Sequence, residues 1–281
     1  MGAGFTYRMG RLFDQQSGRS VIVPIDHGVA IGATEGLEDP RAVLSALIGA
    51  GIDGTLLSPG MARQTVDLFA SRTAPARVLT VDLPLHSNVP GAVEEIRAYD
   101  LIATVDDALR LGIDAVKTMV VWGVEYALQM RMIERISALR QACNTWDVPL
   151  MIEPVLWGDA IPEARRSDPT LIAHACRICV ELGADVLKAP YVADPVALQA
   201  LVARTPIPVV ILGGKKAERV SAVLEMAEGS VRAGVRGVVF GRNVWQHDDP
   251  TAIVTALRRI VHDGVSASRA IEETEGGRSW R

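Results

Sequence analysis

Lys188 stands alone inside an aliphatic run, Asp185-Val-Leu-Lys-Ala-Pro190, with valine and leucine before it and alanine and proline after it. The chain has only four lysines, at 117, 188, 215 and 216, so each position is informative. A lysine in an apolar strand must point into a polar interior, because its other surroundings are hydrocarbon. Burial there, with Lys117 nearby, is expected to disfavour the ammonium form and to lower the lysine's pKa. A neutral amine can attack a carbonyl and form a Schiff base. The alternative is a structural ion pair with Asp26 or Glu153. Those two carboxylates and His27 are the candidate proton movers, since a desolvated carboxylate beside lysines is poised as acid or base. Each also has a plainer reading: Asp26 as a loop cap, His27 as a satisfied loop histidine, Glu153 as charge balance for Lys117. A second cluster, Gly213, Gly214, Lys215, Gly241 and Arg242, has the composition of a phosphate cradle, in which glycine amides approach closely and a cation adds charge. Two tight turns without a ligand are the alternative.

These residues need elements that bring them together. Eight short runs rich in Val, Ile and Leu recur: VIVPI (21–25), GTLLS (54–58), RVLTVDL (77–83), AVKTMVV (115–121), PLMIEPV (149–155), DVLKAP (185–190), PVVILGG (208–214) and GVVFG (237–241). They do not alternate between polar and apolar, as expected of parallel strands buried on both faces. Helical spacing fills the intervals at 40–51, 169–183, 218–234 and 250–262, the first two opening with Asp-Pro, a cap followed by proline in the first turn. Four helices end in similar words, AGIDG (50–54), LGIDA (111–115), LGADV (182–186) and AGVRG (233–237), each offering a glycine for a left-handed C-cap before the next strand.

Eight strands alternating with helices imply an α/β fold, a single (β/α)8 TIM barrel over residues 1–281 with an N-terminal extension (1–20) and a C-terminal tail (about 263–281). The polar end of the tail, 272–281, is expected to be poorly ordered unless an oligomer holds it. An open doubly wound sheet is the rival. Its Gly-rich nucleotide turn is not matched by DHGVAIG after the first run. In a barrel, chemistry sits at the carboxyl ends of the strands, where Asp26, His27, Lys117, Glu153, Lys188 and both glycine clusters fall.

Composition sets outer bounds. Of 281 residues 49% are hydrophobic and 22% charged, which excludes a disordered chain. The net charge of −4 argues against nucleic acid or an anionic membrane as partner. No apolar run is long enough to span a membrane and no signal-peptide core is present. The three cysteines (143, 176, 179) are too few for a disulfide framework. A cytoplasmic protein is expected, with Cys176 and Cys179 read as core residues of a helix. The histidines at 86, 174, 247 and 262 show no ligand spacing, so neither a metal nor another cofactor is expected.

Taken together, VPIDHGVAIG (23–32), LGADVLKAPYVADP (182–195), PVVILGGKK (208–216) and GVRGVVFGRNVWQHDDP (234–250) resemble the class I aldolases of the DhnA/DeoC type. That group includes archaeal-type fructose-bisphosphate aldolase, aminodideoxyheptulosonate synthase and autoinducer-2 phosphate thiolase. The resemblance implies that Lys188 is the Schiff-base lysine, that Asp26 is an acid/base or orienting group, and that the glycines after the last two strands hold a substrate phosphate. It matches His27 to the histidine of the thiolase branch. Archaeal-type members place a tyrosine near the end of the fifth strand; MIEPVLWG (151–158) has none. Glu153-Pro154 looks more like the tagatose-bisphosphate aldolase pattern, which points away from fructose 1,6-bisphosphate. The expected activity is a lyase that makes or breaks a C–C bond in a phosphorylated ketose or keto acid, in a homo-oligomer. An acyl-transferring thiolase and a non-catalytic phosphometabolite-binding barrel are the alternatives.

Overall fold

In a computed structural model, whose described residues are 2–275, eight parallel strands close into a barrel. In chain order the strands are β1 (Ser20–Ile22), β2 (Gly54–Leu57), β3 (Ala76–Thr80), β4 (Asp82–Leu85), β5 (Ala98–Leu101), β6 (Ala115–Val121), β7 (Leu150–Val155), β8 (Val186–Ala189), β9 (Val209–Leu212) and β10 (Gly237–Val239). The barrel runs β1-β10-β9-β8-β7-β6-β3-β2, and β2 pairs with β1 to complete it. Closure excludes the open doubly wound sheet. All eight aliphatic runs supply a barrel strand.

One run needs correction. RVLTVDL (77–83) is not a single strand: β3 stops at Thr80, and Asp82 opens β4, which pairs antiparallel with β5 outside the barrel. The unbroken apolar pattern hid the change of sheet because Val81 and Asp82 are both buried.

The inner and outer faces of the barrel carry separate cores. Ile22, Leu56, Ala76, Val78, Ala115, Met151, Val186, Val210 and Val239 pack together inside. Their strand neighbours Val21, Leu57, Leu79, Val116, Leu150, Ile152, Leu187, Val209 and Val238 pack outward with the helices. This two-residue period was invisible in the sequence because both faces are apolar. The N-terminal extension is not a loose lead-in. It forms a helix, Ala3–Leu12, and Leu12 and Phe13 close the floor of the inner core.

Helix starts follow the Asp-Pro signal at four places. Asp39, Asp168, Asp194 and Asp249 each accept first-turn N–H bonds, with proline next in sequence. The helical intervals at 40–51, 169–183, 218–234 and 250–262 correspond to Pro40–Gly49, Pro169–Glu181, Val220–Arg232 and Pro250–Val261. The glycines of the four repeated words (51, 112, 183, 234) all have positive φ, between 66° and 92°. Three of those words also carry an aspartate whose side chain takes an N–H from the first two residues of an adjacent strand. Asp53 accepts from Val21 at 2.7 Å, Asp114 from Arg77 at 2.9 Å and Asp185 from Leu150 at 2.9 Å. Each is also paired with an arginine: Arg258, Arg11 and Arg140 respectively.

The tail expectation is corrected in part. Residues 272–275 belong to a helix, Ala267–Glu275, whose Ala267 and Ala270 are buried and whose Glu273 pairs with Arg259 and Arg269. Residues 276–281 lie outside the described residues. A 21-residue helix, Tyr126–Trp146, was not singled out because it buries only the stripe Met132, Ile136, Leu139 and Cys143. Cys176 and Cys179 are core residues as read. No helix among the described residues is long and apolar enough to cross a membrane.

Candidate active site

Alternation along the strands decides which side chains face the barrel mouth. Lys117, Glu153 and Lys188 each lie two residues beyond an inner-core residue: Ala115, Met151 and Val186. Two steps along a strand restore the same face, so all three project inside, one layer above the apolar floor. On adjoining strands Lys117 lies opposite Met151 and Glu153 opposite Met119, so Glu153 stands two residues further along the ladder than Lys117. One carboxylate oxygen joins them. Glu153 Oε2 lies 2.9 Å from Lys117 Nζ and 3.0 Å from Lys188 Nζ. All three are almost wholly buried: Lys117 is 3% exposed, Glu153 4% and Lys188 7%. The ion pair weighed for Lys188 therefore exists, with Glu153. A carboxylate at salt-bridge distance from the amine is also what a proton transfer from Lys188 requires.

Asp26 follows β1. Its Oδ2 accepts the Thr80 hydroxyl at 2.5 Å, and its Oδ1 lies 3.5 Å from His27 Nδ1. Asp82, fully buried, accepts the Met119 N–H at 2.7 Å and lies 3.8 Å from Lys117 Nζ. The mouth therefore holds three carboxylates, two lysines and a histidine.

Their mutual influence sets the protonation states. Burial opposes ionisation of Glu153, but Lys117 and Lys188 outweigh it and hold the carboxyl below its ordinary range. Asp26 is likewise lowered: burial raises it, and His27, Lys117 and Lys188 prevail. Burial alone would depress Lys117, yet Asp82, Glu153 and Asp26 push it well above an ordinary lysine. Asp82 is raised, because desolvation exceeds the help from Lys117 and the Met119 N–H. His27 is lowered, chiefly by burial, against the attraction of Asp26.

The ends of β9 and β10 meet beside this cluster. Asn243 binds the two loops together: its amide donates to the Gly213 carbonyl at 2.8 Å and its oxygen accepts the Ala217 N–H at 2.7 Å. Trp245 donates to the Pro24 carbonyl at 3.0 Å and meets the His27 ring edge-on at 5.2 Å. Gly241 is crowded by His27, Pro24 and Trp245, where a Cβ would come within 3.0 to 3.2 Å. Gly213 is not a free donor as expected, since its N–H goes to the Val239 carbonyl at 3.3 Å. Its small size is used against Phe240 and Asn243. Gly214, at φ 69°, has open space around it, and Lys215 is exposed. Arg242 is half-buried, and its Nε finds no hydrogen-bond partner. A cleft of about 580 Å³ opens beside the β1 loop, lined by Ile25, Gly28, Val29, Ser58, Met61 and Ile102.

Three residues of this region escaped the sequence reading: Thr80, Asp82 and Trp245. Asp82 carried the same signal as Lys188, a charge within an aliphatic run. Asn243 is polar at the end of the last strand, but its role was not legible, because its two partners are 26 and 30 residues away. His86 is half-buried and His174 exposed, and among the described residues no three His, Cys, Asp or Glu side chains group to hold a metal ion.

The proteins this chain is similar to include aldolases and their relatives. The family model for DeoC/LacD family aldolases matches residues 20–247. A 2-amino-4,5-dihydroxy-6-oxo-7-(phosphonooxy)heptanoate synthase from Streptomyces griseus is 32% identical over 91% of this chain and 89% of its own. A 3-hydroxy-5-phosphonooxypentane-2,4-dione thiolase from Enterobacter sp. is 30% identical over 96% of this chain and 85% of its own. Among solved structures, an archaeal fructose-1,6-bisphosphate aldolase with its catalytic lysine covalently bound to the carbinolamine intermediate superposes with a TM-score of 0.78. It is 26% identical over 92% of this chain and 99% of that one. With the barrel closed and two lysines buried on one glutamate in its mouth, the chain belongs to the DeoC/LacD family of aldolases, lyases that work through a lysine Schiff base.

Proposed function

We propose that Lys188 is the Schiff-base lysine of this aldolase and that the substrate is a phosphorylated ketose or keto acid. The observation that carries the reading is the 3.0 Å approach of Lys188 Nζ to the Glu153 carboxylate at the mouth of the barrel. Lys188 gives a proton to Glu153, and its lone pair attacks the substrate carbonyl carbon. The carbinolamine loses water to become an iminium. In the cleavage direction Glu153 or Asp26 takes the substrate hydroxyl proton. The C–C electrons then move into the iminium, leaving an enamine and an aldehyde. Protonation of the enamine and hydrolysis release the ketone and restore Lys188. No electron is gained or lost, and the iminium itself is the electron sink. Lys117, held as a cation, faces the same region and is placed to meet substrate oxygen.

The phosphate is assigned to the ends of β9 and β10. Gly214 allows close approach, Gly241 leads into the turn that carries Arg242, and Arg242 and Lys215 supply charge. The heptanoate synthase, the thiolase and the archaeal aldolase all act on phosphate esters by name, which supports this assignment. The segment 151–158 has no tyrosine, so the proton work falls to Glu153 or Asp26, and fructose 1,6-bisphosphate is the less favoured substrate.

The test is borohydride trapping with a panel of phosphorylated ketones and their dephosphorylated analogues, with and without coenzyme A. A reduced adduct with a phosphorylated ketone alone, and turnover without coenzyme A, is expected. Turnover that requires coenzyme A would replace aldol cleavage by acyl transfer involving His27. The absence of any adduct with any ketone would overturn the Schiff-base assignment.

A further inference from the structure

Glu153 Oε2 has two claims on it. It neutralises Lys117 at 2.9 Å and faces Lys188 at 3.0 Å. Schiff-base chemistry at Lys188, the reading on which this inference rests, needs Glu153 to become neutral while it holds the lysine's proton. At that moment the buried Lys117 ammonium loses its nearest anion, and an uncompensated buried charge is costly. Asp82 is the group that remains. It opens β4 at the point where the chain leaves the barrel, and it is fully buried. The Met119 N–H holds its Oδ2 at 2.7 Å, and its Oδ1, with no hydrogen-bond partner, lies 3.8 Å from Lys117 Nζ.

We propose that Asp82 is a positioning residue, the standing counter-ion of Lys117, which frees Glu153 to take and return the proton of Lys188. Asp82 stays an anion throughout the cycle while Glu153 alternates. The ionisable groups that face it are Lys117 on β6, Glu153 on β7, Asp26 after β1 and Tyr99 on β5, whose hydroxyl is hydrogen-bonded to Thr118 at 2.7 Å. Upward displacement of Lys117 by Asp82 supports the same assignment. A purely architectural role is the competing explanation, since the Met119 bond also fastens the β4–β5 hairpin to β6.

The substitution Asp82→Asn separates the two. Asparagine still accepts the Met119 N–H but removes the charge, leaving Glu153 as the near counter-ion of both lysines and a weaker base. The expected result is a fall in kcat of about 10-fold, within the range of coupling between neighbouring groups. KM for the phosphorylated ketone should stay within about threefold. The acid limb of the kcat–pH profile should move to lower pH, because Glu153 loses a neighbouring negative charge. The same substitution in a Lys117→Met background should slow adduct formation at Lys188 by less than about twofold, since the partner is gone. That double variant removes both charges and gives the comparison if Asp82→Asn alone does not fold. Wild-type kcat and pH profile in Asp82→Asn, or an equal loss with and without Lys117, would overturn the proposal. Failure of wild type to trap an adduct would instead overturn the Schiff-base reading, so the two failures are distinct.

Discussion

At the scale of single residues, the site turns on one oxygen shared by two ammonium groups. Glu153→Gln removes the charge that both lysines face, the only group among the described residues at salt-bridge distance from both. General acid–base contributions are about 10²–10⁴-fold, so kcat should fall by that order while KM changes little. A fall below about fivefold in steady-state kinetics would return Glu153 to charge balance and shift the proton work to Asp26. Arg242 is argued from a different imbalance. It is half-buried with its Nε unpartnered, and burial lowers its pKa, so its guanidinium lacks a full set of acceptors. Arg242→Ala should weaken phosphorylated ligands by roughly 10- to 150-fold, the equivalent of a hydrogen bond to a charged group at about 1.5–3 kcal/mol. Unphosphorylated analogues should bind as to wild type. Equal titrations of a phosphorylated ketone against both proteins would show that these loops do not hold the phosphate.

At the scale of elements, the repeated words at the helix ends do more than stop helices. In three of them an aspartate fixes the start of an adjacent strand through a backbone N–H and takes an arginine besides. Asp185→Ala removes the acceptor for both Leu150 N–H and Arg140. It should lower unfolding free energy by about 1.5–3 kcal/mol and leave kcat unchanged, because it lies at the end of the barrel opposite the mouth. Denaturant melts alongside steady-state assays would check this, and a loss of kcat without loss of stability would contradict it. The aspartates were on view in IDG, IDA and ADV, but their partners were not, since acceptor and donor are 32, 37 and 35 residues apart. The same limit explains which parts of the site were legible. Lys117, Glu153 and Lys188 could be found because a charge inside an aliphatic run must face something polar. Asp82 meets that criterion too, but RVLTVDL has the pattern of one strand, which hides the turn out of the barrel at Asp82. Asn243 and Trp245 act across space, and a loop composition gives no hint of it. The eight strands were legible because burial on both faces leaves uninterrupted Val, Ile and Leu. The N-terminal helix was not, because it presents little more than Leu12 to the core.

At the scale of the molecule, an apolar floor sealed by Leu12 and Phe13 lies beneath a layer of buried charge, and pH acts on that layer. Asp26 and Glu153 have folded-state pKa values below their ordinary ones. Their contribution to stability is complete above the unfolded carboxylate range of about 4 and is lost as pH falls through the lower folded values. Lys117 is shifted the other way, so its contribution is complete below about pH 10 and is lost as pH rises through its higher folded value. Asp82, raised by burial, opposes the acid-side trend. His27, lowered by burial, costs stability once pH falls below the unfolded histidine value of about 6.5, so Tm should be level between about pH 7 and 9 and drop in acid. Glu153→Gln should flatten that acid drop, and an identical acid limb in wild type and variant would contradict the shift. The account as a whole stands on the covalent role of Lys188, and the chain's four lysines make it simple to locate an adduct. The decisive measurement is peptide mapping by mass spectrometry after borohydride reduction with a phosphorylated ketone. The predicted result is a single reduced adduct on Lys188, absent in Lys188→Arg, which should also retain less than about 1% of wild-type turnover. An adduct on Lys117, Lys215 or Lys216, or undiminished turnover in Lys188→Arg, would contradict it.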